Sequence, residues 1–578
     1  MKRIRLNEKF LLILVTGVAA VLFGILYWNS RIPVEEPQPV KENALENWDI
    51  AASDANGKGL HEDKGIYEQN SNIYDVYISV FPTKDDNGEM IDFSAFSLHS
   101  ARDHSYNPVL NCNIQILEEG EKPDPTLDLN SKNATIRVRG NSSRGDRYKS
   151  YKVKLEEEAG TFFGQKNLNI NKHSKDVAKI STKLQTDLLA YADNIASYRT
   201  YFMRLWIRDA SKSEEDQEFR YYGLYTETEQ PNKTYLEARG LSSNAAMYKA
   251  RDFSFTMRDV LRNIDDPSYS EEDFETVLTI REGNNHNQLL EMLEAVNDNT
   301  RDFEEIFQLY FNEENYLTWL SFNLLMGNAD ILNHNFILYS PENSRTWYFI
   351  PWDFDDTLRF GEHQGHIYPV SLRSVQKLNM GILHRRYLRM EGSLEKIERK
   401  MQELLDTVVT RERVTELVES YKDVLEKTAV LEPDLGLLRM PPDELFPYLD
   451  GLYDGMLSNY AAFQEAVKYP APMFVDQPKR LSNGSVEFAW EPSYSYQGLP
   501  VTYNIYLYED YNMEKLVFEQ KDIGQTNWIM RERLEGGIYY LMVTAVDSQG
   551  HEQMSLEHVE GNQAGGHYKD GLLMVTIE

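Results

Sequence analysis

Asn328-Ala-Asp330-Ile-Leu-Asn333-His-Asn335-Phe-Ile-Leu-Tyr-Ser-Pro341-Glu-Asn343-Ser-Arg-Thr-Trp347-Tyr-Phe-Ile-Pro-Trp352-Asp353-Phe-Asp355-Asp356 is the stretch from which the fold is read. A helical run ends at Gly327, and a polar loop then carries Asp330 and Asn335. An apolar strand over residues 336–339 turns at Pro341-Glu-Asn343, and a second strand over 347–350 delivers Asp353. Two acidic groups and an amide are therefore expected at the mouth of a hairpin. Phosphoryl transfer from a nucleotide needs one carboxylate to orient or deprotonate the acceptor hydroxyl. It also needs an amide and a second carboxylate to hold divalent metal against the phosphates. Asx side chains crowd turns as well, because they bond nearby backbone, so Asn328, Asp330, Asn333 and Asn335 also suit plain turn formers. The carboxylates of Asp353, Asp355 and Asp356 repel one another unless a cation or a base lies among them.

The spacing narrows the choice. Asp330 and Asn335 are five residues apart, and Asp353 follows the hairpin in Asp-Phe-Asp; protein kinases space their catalytic Asp, metal-binding Asn and Asp-Phe-Gly in this way. Upstream, Arg137-Val-Arg-Gly140-Asn-Ser142-Ser143 leads through a turn into Lys149-Ser-Tyr-Lys152-Val-Lys154-Leu155. A hairpin turn offering backbone amides, followed by a strand lysine, suits a cover and clamp for phosphates, although an exposed hairpin with solvated lysines fits the same pattern. A third motif, Gly223-Leu-Tyr225-Thr-Glu-Thr-Glu229, precedes a break at Gln230-Pro231.

Taken together and in this order, these motifs resemble the CotH kinase family, atypical protein kinases named after a spore coat protein. The resemblance covers residues 130–395. It implies an α+β, two-lobed atypical protein-kinase-like fold, with a β-rich N-lobe over residues 73–230 and a helical C-lobe over 231–469. It implies transfer of the ATP γ-phosphate to a hydroxyl, that of a protein serine or threonine. In that scheme Asp330 positions the acceptor, and Asn335 and Asp353 hold Mg²⁺ or Mn²⁺, with Asp355 as an additional ligand. Lys154 is the first choice for steadying the phosphates and Lys152 the second; Ser142 and Ser143 lie in the covering turn, and Glu229 takes the acidic position at the hinge. Ordinary kinases have Gly where this chain has Asp355, so their metal geometry does not carry over. Helical spacing over residues 181–191 places Leu184, Leu188 and Leu189 on one side, with Lys183 and Asp187 four apart and able to pair along the helix.

The ends of the chain add further expectations. Residues 1–9 form a basic flank, and residues 10–28 contain no charge. A helix of that length covers roughly 28 Å, close to the ~30 Å hydrocarbon core. A single transmembrane helix is expected there, with the N-terminus cytoplasmic, the catalytic domain extracytoplasmic and the protein in the cell membrane. Residues 29–72 read as a flexible linker. With 92 acidic against 60 basic side chains and a formal charge of −32, the chain is unsuited to nucleic acid. Cys112 is the sole cysteine, so no internal disulfide forms. Residues 470–578 resemble a fibronectin type III β-sandwich, with Trp490 in its core and Tyr539 tying a corner; its expected role is to bind a cell-wall or matrix partner, or to space. Two rival functions stay open: another phosphate- or nucleotidyl-transferring enzyme on the same scaffold, and a non-catalytic wall- or matrix-binding protein.

Overall fold

Val76, Ile78 and Val80 alternate with polar residues, so the strand that carries them has one apolar face that must be covered. The computed structural model describes residues 60–67, 71–102, 106–124, 131–140, 142–213, 217–328, 330–359, 362–363, 366–367, 369–560 and 568–577. In it that strand, β1 (Ile73–Val80), joins β2 (Leu110–Glu118), β3 (Ala134–Arg139), β4 (Ser150–Leu155), β5 (Asn167–Asn171), β6 (Thr200–Asp209) and β7 (Arg220–Glu229). They close into a barrel in the order β1-β2-β3-β4-β5-β7-β6, with β6 meeting β1 in parallel. Closure leaves no sheet edge exposed. Val76, Ile78, Ile136, Val138, Val153, Leu168 and Met203 share the interior with Cys112. The parallel seam is pinned by register partners: the Arg204 guanidinium donates hydrogen bonds of 2.7 and 2.8 Å to the two oxygens of Asp75, the bidentate geometry of a strong pair. Against the barrel lies α1 (Ser181–Leu189), buried along its whole length, with Lys183 and Asp187 paired at 2.5 Å and the Tyr421 hydroxyl donating to Asp187 at 2.6 Å.

The second region is built round α2 (Glu313–Leu325). The Asn312 side chain caps it by accepting the N–H of Asn315 at 2.9 Å, and Glu313 and Glu314 in the first turn complement the helix dipole. The helix is buried on every face because it lies between a sheet and the helices α3 (Ser393–Thr407) and α4 (Leu452–Ala466). That sheet, in the order β9-β8-β10-β11, consists of β8 (Ala245–Ala250), β9 (Leu278–Glu282), β10 (Phe336–Pro341) and β11 (Tyr348–Pro351). The hairpin read from sequence, β10–β11, is widened into a four-stranded sheet by β8 and β9, and every residue of β10 and β11 is buried because the sheet is covered on both faces. The barrel is tied to this region through Asp434, which pairs with Lys172 at 2.6 Å and accepts the N–H of Leu224 at 2.7 Å. Gly223 makes room for it: a Cβ there would lie 2.1 Å from Asp434 Oδ2.

Beyond these, β12 (Lys479–Arg480), β13 (Val486–Ala489) and β16 (Asn527–Met530) form one sheet in the order β12-β13-β16. A second, in the order β15-β14-β17-β18, comprises β14 (Val501–Tyr508), β15 (Leu516–Ile523), β17 (Gly537–Asp547) and β18 (Glu552–Met554), with β21 (Leu572–Ile577) also paired to β17. Phe488, Trp490, Ile505, Leu507, Leu541, Val543 and Val575 share the core of this sandwich. The Tyr539 hydroxyl donates to the Glu535 carbonyl at 3.1 Å. A small hairpin of β19 (His558–Glu560) and β20 (Tyr568–Asp570) extends from it.

Two expectations are corrected. Among the described residues no helix is long and apolar enough to cross a membrane. Residues 10–28, expected to be the transmembrane helix, lie outside the described residues. Over the described residues the fold is a mixed α/β arrangement of barrel, sheets and helices with no membrane-crossing helix among them, and the membrane partner and single-pass placement lose their support. The linker expected to run to residue 72 is also too long. Glu62 and Tyr67 are packed on Arg239, which is fully buried. Its guanidinium meets Glu62 at 3.2 Å and Glu229 at 2.6 Å, and lies 3.7 Å over the Tyr235 ring.

Burial works to raise the Glu229 carboxyl, but Arg239 and Arg199 outweigh it and hold it down to about 2 from 4.5. The pairing therefore stabilises the fold fully above pH 4.5 and is lost as pH falls toward about 2, a contribution on the order of 3 kcal/mol. Glu229→Gln is expected to lower the urea midpoint at pH 7 and to flatten the fall of that midpoint between pH 4.5 and 2; Arg239→Ala, which removes the buried guanidinium shared by Glu62 and Glu229, is expected to cost about 3–5 kcal/mol.

Candidate functional site

Helix α2 hands over to the polar loop at Gly327, where φ is +66° and a Cβ would come 2.8 Å from Asn459 Nδ2. Only glycine turns the chain there. Asn328 donates to Asn323 Oδ1 at 2.8 Å and accepts the N–H of Asp330 at 3.1 Å. Asn333 donates to Asp252 Oδ1 at 2.8 Å, tying the loop to the end of β8. Asn328 is thus a turn former, while Asn333 is a long-range tie. Asp330 and Asn335 instead meet each other: the Asn335 amide donates to Asp330 Oδ2 at 3.0 Å.

Asn335 and Asp353 stand at the base of the β10–β11 hairpin, one just before β10 and the other two residues after β11. The N–H of Trp352 donates to the Asn335 carbonyl at 3.2 Å. Both Asn335 and Asp353 adopt left-handed backbone, with φ of 58° and 61°; Asn and Asp tolerate this better than other side chains, and such conformations cluster at functional sites. The hairpin is held from behind by Asn315 of α2, which accepts the N–H of Phe349 at 2.6 Å and donates to its carbonyl at 3.1 Å.

Asp353 faces a mixed set of charges drawn from three other elements. Burial and the neighbouring Asp355 raise its carboxyl to about 6, against the pull of Lys249 on β8, His173 after β5 and Arg139 at the end of β3. Burial likewise acts to raise Asp355, but His173, whose Nδ1 is 3.9 Å away, prevails and lowers it. Lys249 is pushed down to about 8 by burial against the pull of Asp353, and its Nζ lies 5.2 Å over the Trp352 ring. Lys152 is pushed down to about 8 by burial and by Arg137, Arg281 and Arg139. Burial and Arg139 push Arg281, on β9, down to about 10, and its Nε is buried without a hydrogen-bond partner in the protein. In a chain of net charge −32 this concentration of cations suits an anion with several charges.

Register and burial separate the two strand lysines. In the β3–β4 register Arg139 pairs with Ser150, Arg137 with Lys152 and Thr135 with Lys154. Lys154 thus lies two residues, or roughly 7 Å, farther than Lys152 from the Asp353 end, and it is exposed. Ser142 opens the short turn Ser142–Gly145; its side chain lies outside the described residues. Ser143 Oγ packs on Gly140, where a Cβ would lie 2.1 Å away. The turn is stiffened by Arg144, which donates to the Ser100 carbonyl at 2.7 Å, and by Lys149, which donates to the Asp146 carbonyl at 2.7 Å. Glu229 is not open to a ligand: both carboxylate oxygens are taken by Arg199 and Arg239, so it braces the hinge.

Arg139, Lys249, Arg281 and His173 were not singled out by sequence. A usable signal existed for Lys249, a basic residue inside the otherwise uncharged Ala245-Ala-Met-Tyr-Lys249-Ala250. Lys377 was not singled out by sequence either. It is half-buried on the 3-10 segment Ser374–Met380, and burial pushes it down to about 8 against the pull of Asp570 and Asp330. Among the described residues no group of three or more His, Cys, Asp or Glu side chains is gathered to hold a metal by itself.

Comparison with known proteins gives the family of the chain. The inner spore coat protein H of Bacillus subtilis (strain 168) is 22% identical over 330 residues, covering 56% of this chain and 86% of that protein. The Helicobacter pylori proinflammatory kinase CtkA aligns at 10% identity over 57% of this chain and 94% of its own, with a TM-score of 0.25. A structure described as FN3tt mut aligns at 13% identity over 19% of this chain and 92% of its own, with a TM-score of 0.12. Likenesses at these TM-scores do not bear on the fold. The family model described as CotH kinase protein matches residues 136–440, more than half of the sequence and the part that carries Asp330, Asn335, Asp353 and the cations around them; this chain belongs to the CotH kinase family.

Proposed function

We propose that the chain transfers the γ-phosphate of ATP to a protein serine or threonine hydroxyl with the help of Mg²⁺ or Mn²⁺. The observation that carries this is the pairing of Asp330 with Asn335 at 3.0 Å beside an Asp353 set among Lys249, Arg139 and His173. Membership of a kinase family supports it.

Asn335 fixes the plane of the Asp330 carboxylate, which orients the acceptor hydroxyl and takes its proton as the phosphoryl group arrives. Arg139, Lys249, Lys152 and Arg281 offset the charge of the nucleotide phosphates, and the barrel and sheet hold them in place before substrate binds. The donors beside Asp353 fit a hard divalent ion, since Asn335, Asp353 and Asp355 offer only oxygen ligands and the two carboxylates repel. With no three-residue acidic or histidine group among the described residues, they fit an ion that arrives on the phosphates rather than one held permanently. When bound, such an ion supplies charge neutralisation at the phosphate oxygens.

Incubation of the full chain with γ-labelled ATP and Mg²⁺ or Mn²⁺ is expected to label serine or threonine on an added protein or on the chain itself. Asp330→Asn and Asp353→Asn are each expected to reduce transfer by about 10²-fold or more. Label arriving from the α-phosphate instead would mean nucleotidyl transfer, and a folded chain without metal-dependent ATP binding would sink the assignment. The two strand lysines separate by the KM for ATP: Lys152→Ala is expected to raise it about tenfold, the size of one lost charge-assisted hydrogen bond, and Lys154→Ala to leave it within about twofold.

A further inference from the structure

The loop that follows β5 is fastened to the segment over residues 429–437 by the Lys172–Asp434 pair, and the two together line a small pocket. Lys172, His173 and Lys179 of the loop, Tyr225 of β7 and Asp434 are among its walls. Its volume of about 10 Å³ takes one body of about the size of a water molecule. Organic ligands and polyatomic anions such as phosphate are too large for it.

The wall carries two ammoniums and one carboxylate, and the hydrogen bonds show which charge is uncompensated. Lys172 donates its three protons to Asp434 Oδ1 at 2.6 Å and to the carbonyls of Tyr222 and Leu224 at 2.8 and 3.1 Å. The other Asp434 oxygen accepts the N–H of Leu224 at 2.7 Å. Asp176, the second acid near Lys179, is also closed: it accepts the N–H groups of Ala178 and Ser181 at 2.9 Å and the Ser181 hydroxyl at 2.6 Å. Lys179 is left with two neutral acceptors, the carbonyls of Ser174 at 3.2 Å and Leu437 at 3.1 Å, and among the described residues it has no ion-pair partner. It is 8% exposed, and burial pushes it down to about 8 against the more distant pull of Asp176 and Asp434. An ammonium so placed keeps one unmatched proton and its charge, which is costly away from water unless a counter-charge is near. Tyr225 is 1% exposed, and its hydroxyl has no hydrogen-bond partner among the described residues. The same wall therefore holds a second donor without an acceptor.

We propose that the pocket binds a single monovalent anion of halide size, such as chloride, held by the third proton of Lys179 and the hydroxyl of Tyr225. A water molecule would accept from Tyr225 but leave the Lys179 charge unmatched, whereas a monatomic anion answers both. The anion also braces the loop. His173 and Lys179 have left-handed backbones, with φ of 20° and 63°, which persist only where the surroundings hold them. His173 links this loop to the candidate site, since its Nδ1 lies 3.9 Å from Asp355 Oδ2. The anion site goes beyond the phosphotransfer assignment and does not rest on it.

Crystals of the full chain soaked in sodium bromide test this directly, because bromide gives an anomalous signal and water does not. One peak is expected in the pocket, in contact with Lys179 Nζ and Tyr225 Oη, lost in Lys179→Met and weakened in Tyr225→Phe. In solution at pH 7, chloride is exchanged for gluconate, which is too large to enter, at constant ionic strength. The melting midpoint is expected to rise by about 1 °C for each tenfold increase in chloride above its dissociation constant. That dependence is expected to vanish in Lys179→Met, whose cooperative melting in gluconate shows that it folds. No anomalous peak in the pocket of the wild-type chain, or a chloride dependence that Lys179→Met retains, overturns the proposal. Neither measurement involves ATP, so either result leaves the phosphotransfer assignment as it stands.

Discussion

Double-sided burial of the β10–β11 hairpin is the constraint on which the site depends. All of its strand residues are inaccessible, and Trp319 of α2 stacks on Phe349 with ring centroids 4.5 Å apart. Asn315, from the same helix, takes both hydrogen-bonding groups of Phe349. A hairpin held in this way cannot slip, because a shift of one residue would turn every side chain to the opposite face. Asn335 and Asp353 sit where it emerges from the core, and their left-handed backbones are sustained by the strands behind them.

The electrostatics follow from that placement. The chain is strongly acidic overall, yet cations from β3, β4, β8 and β9 converge near Asp353. Their burial and, after it, their mutual repulsion, which together lower Lys152 and Arg281, are a standing cost that an anionic ligand would relieve. The buried ion pairs elsewhere behave differently. Arg239 with Glu62 and Glu229, and Lys172 with Asp434, are closed among themselves and hold parts together: the first fastens an N-terminal segment to the hinge, the second the barrel to the helices. Unsatisfied charge marks the candidate site, and satisfied charge marks the frame.

The sandwich belongs to that frame more closely than a flexible appendage would. Its contacts with Ser371, Gln376 and Asn379 are buried hydrogen bonds, and Arg385 reaches Glu491 at 2.8 Å along the same interface. Such an interface transmits position, since buried polar groups tolerate little displacement before they are left unpaired.

What the sequence by itself determined was local. Asp330, Asn335 and Asp353 fall within one hairpin, so loop signals and strand alternation were enough to bring them together. The Lys183–Asp187 pair was legible for the same reason, both residues lying on one face of one helix. Three things were decided only by the tertiary structure: closure of the barrel through a parallel β1–β6 seam, the burial of Lys152 beside Arg137 with Lys154 left exposed, and the occupation of Glu229 by two arginines. So was the gathering of Arg139, His173 and Lys249 round Asp353. Periodicity states which face of an element a side chain takes. Which charges from distant elements will share that face is set by packing, and with it the burial and repulsion that give the site its character.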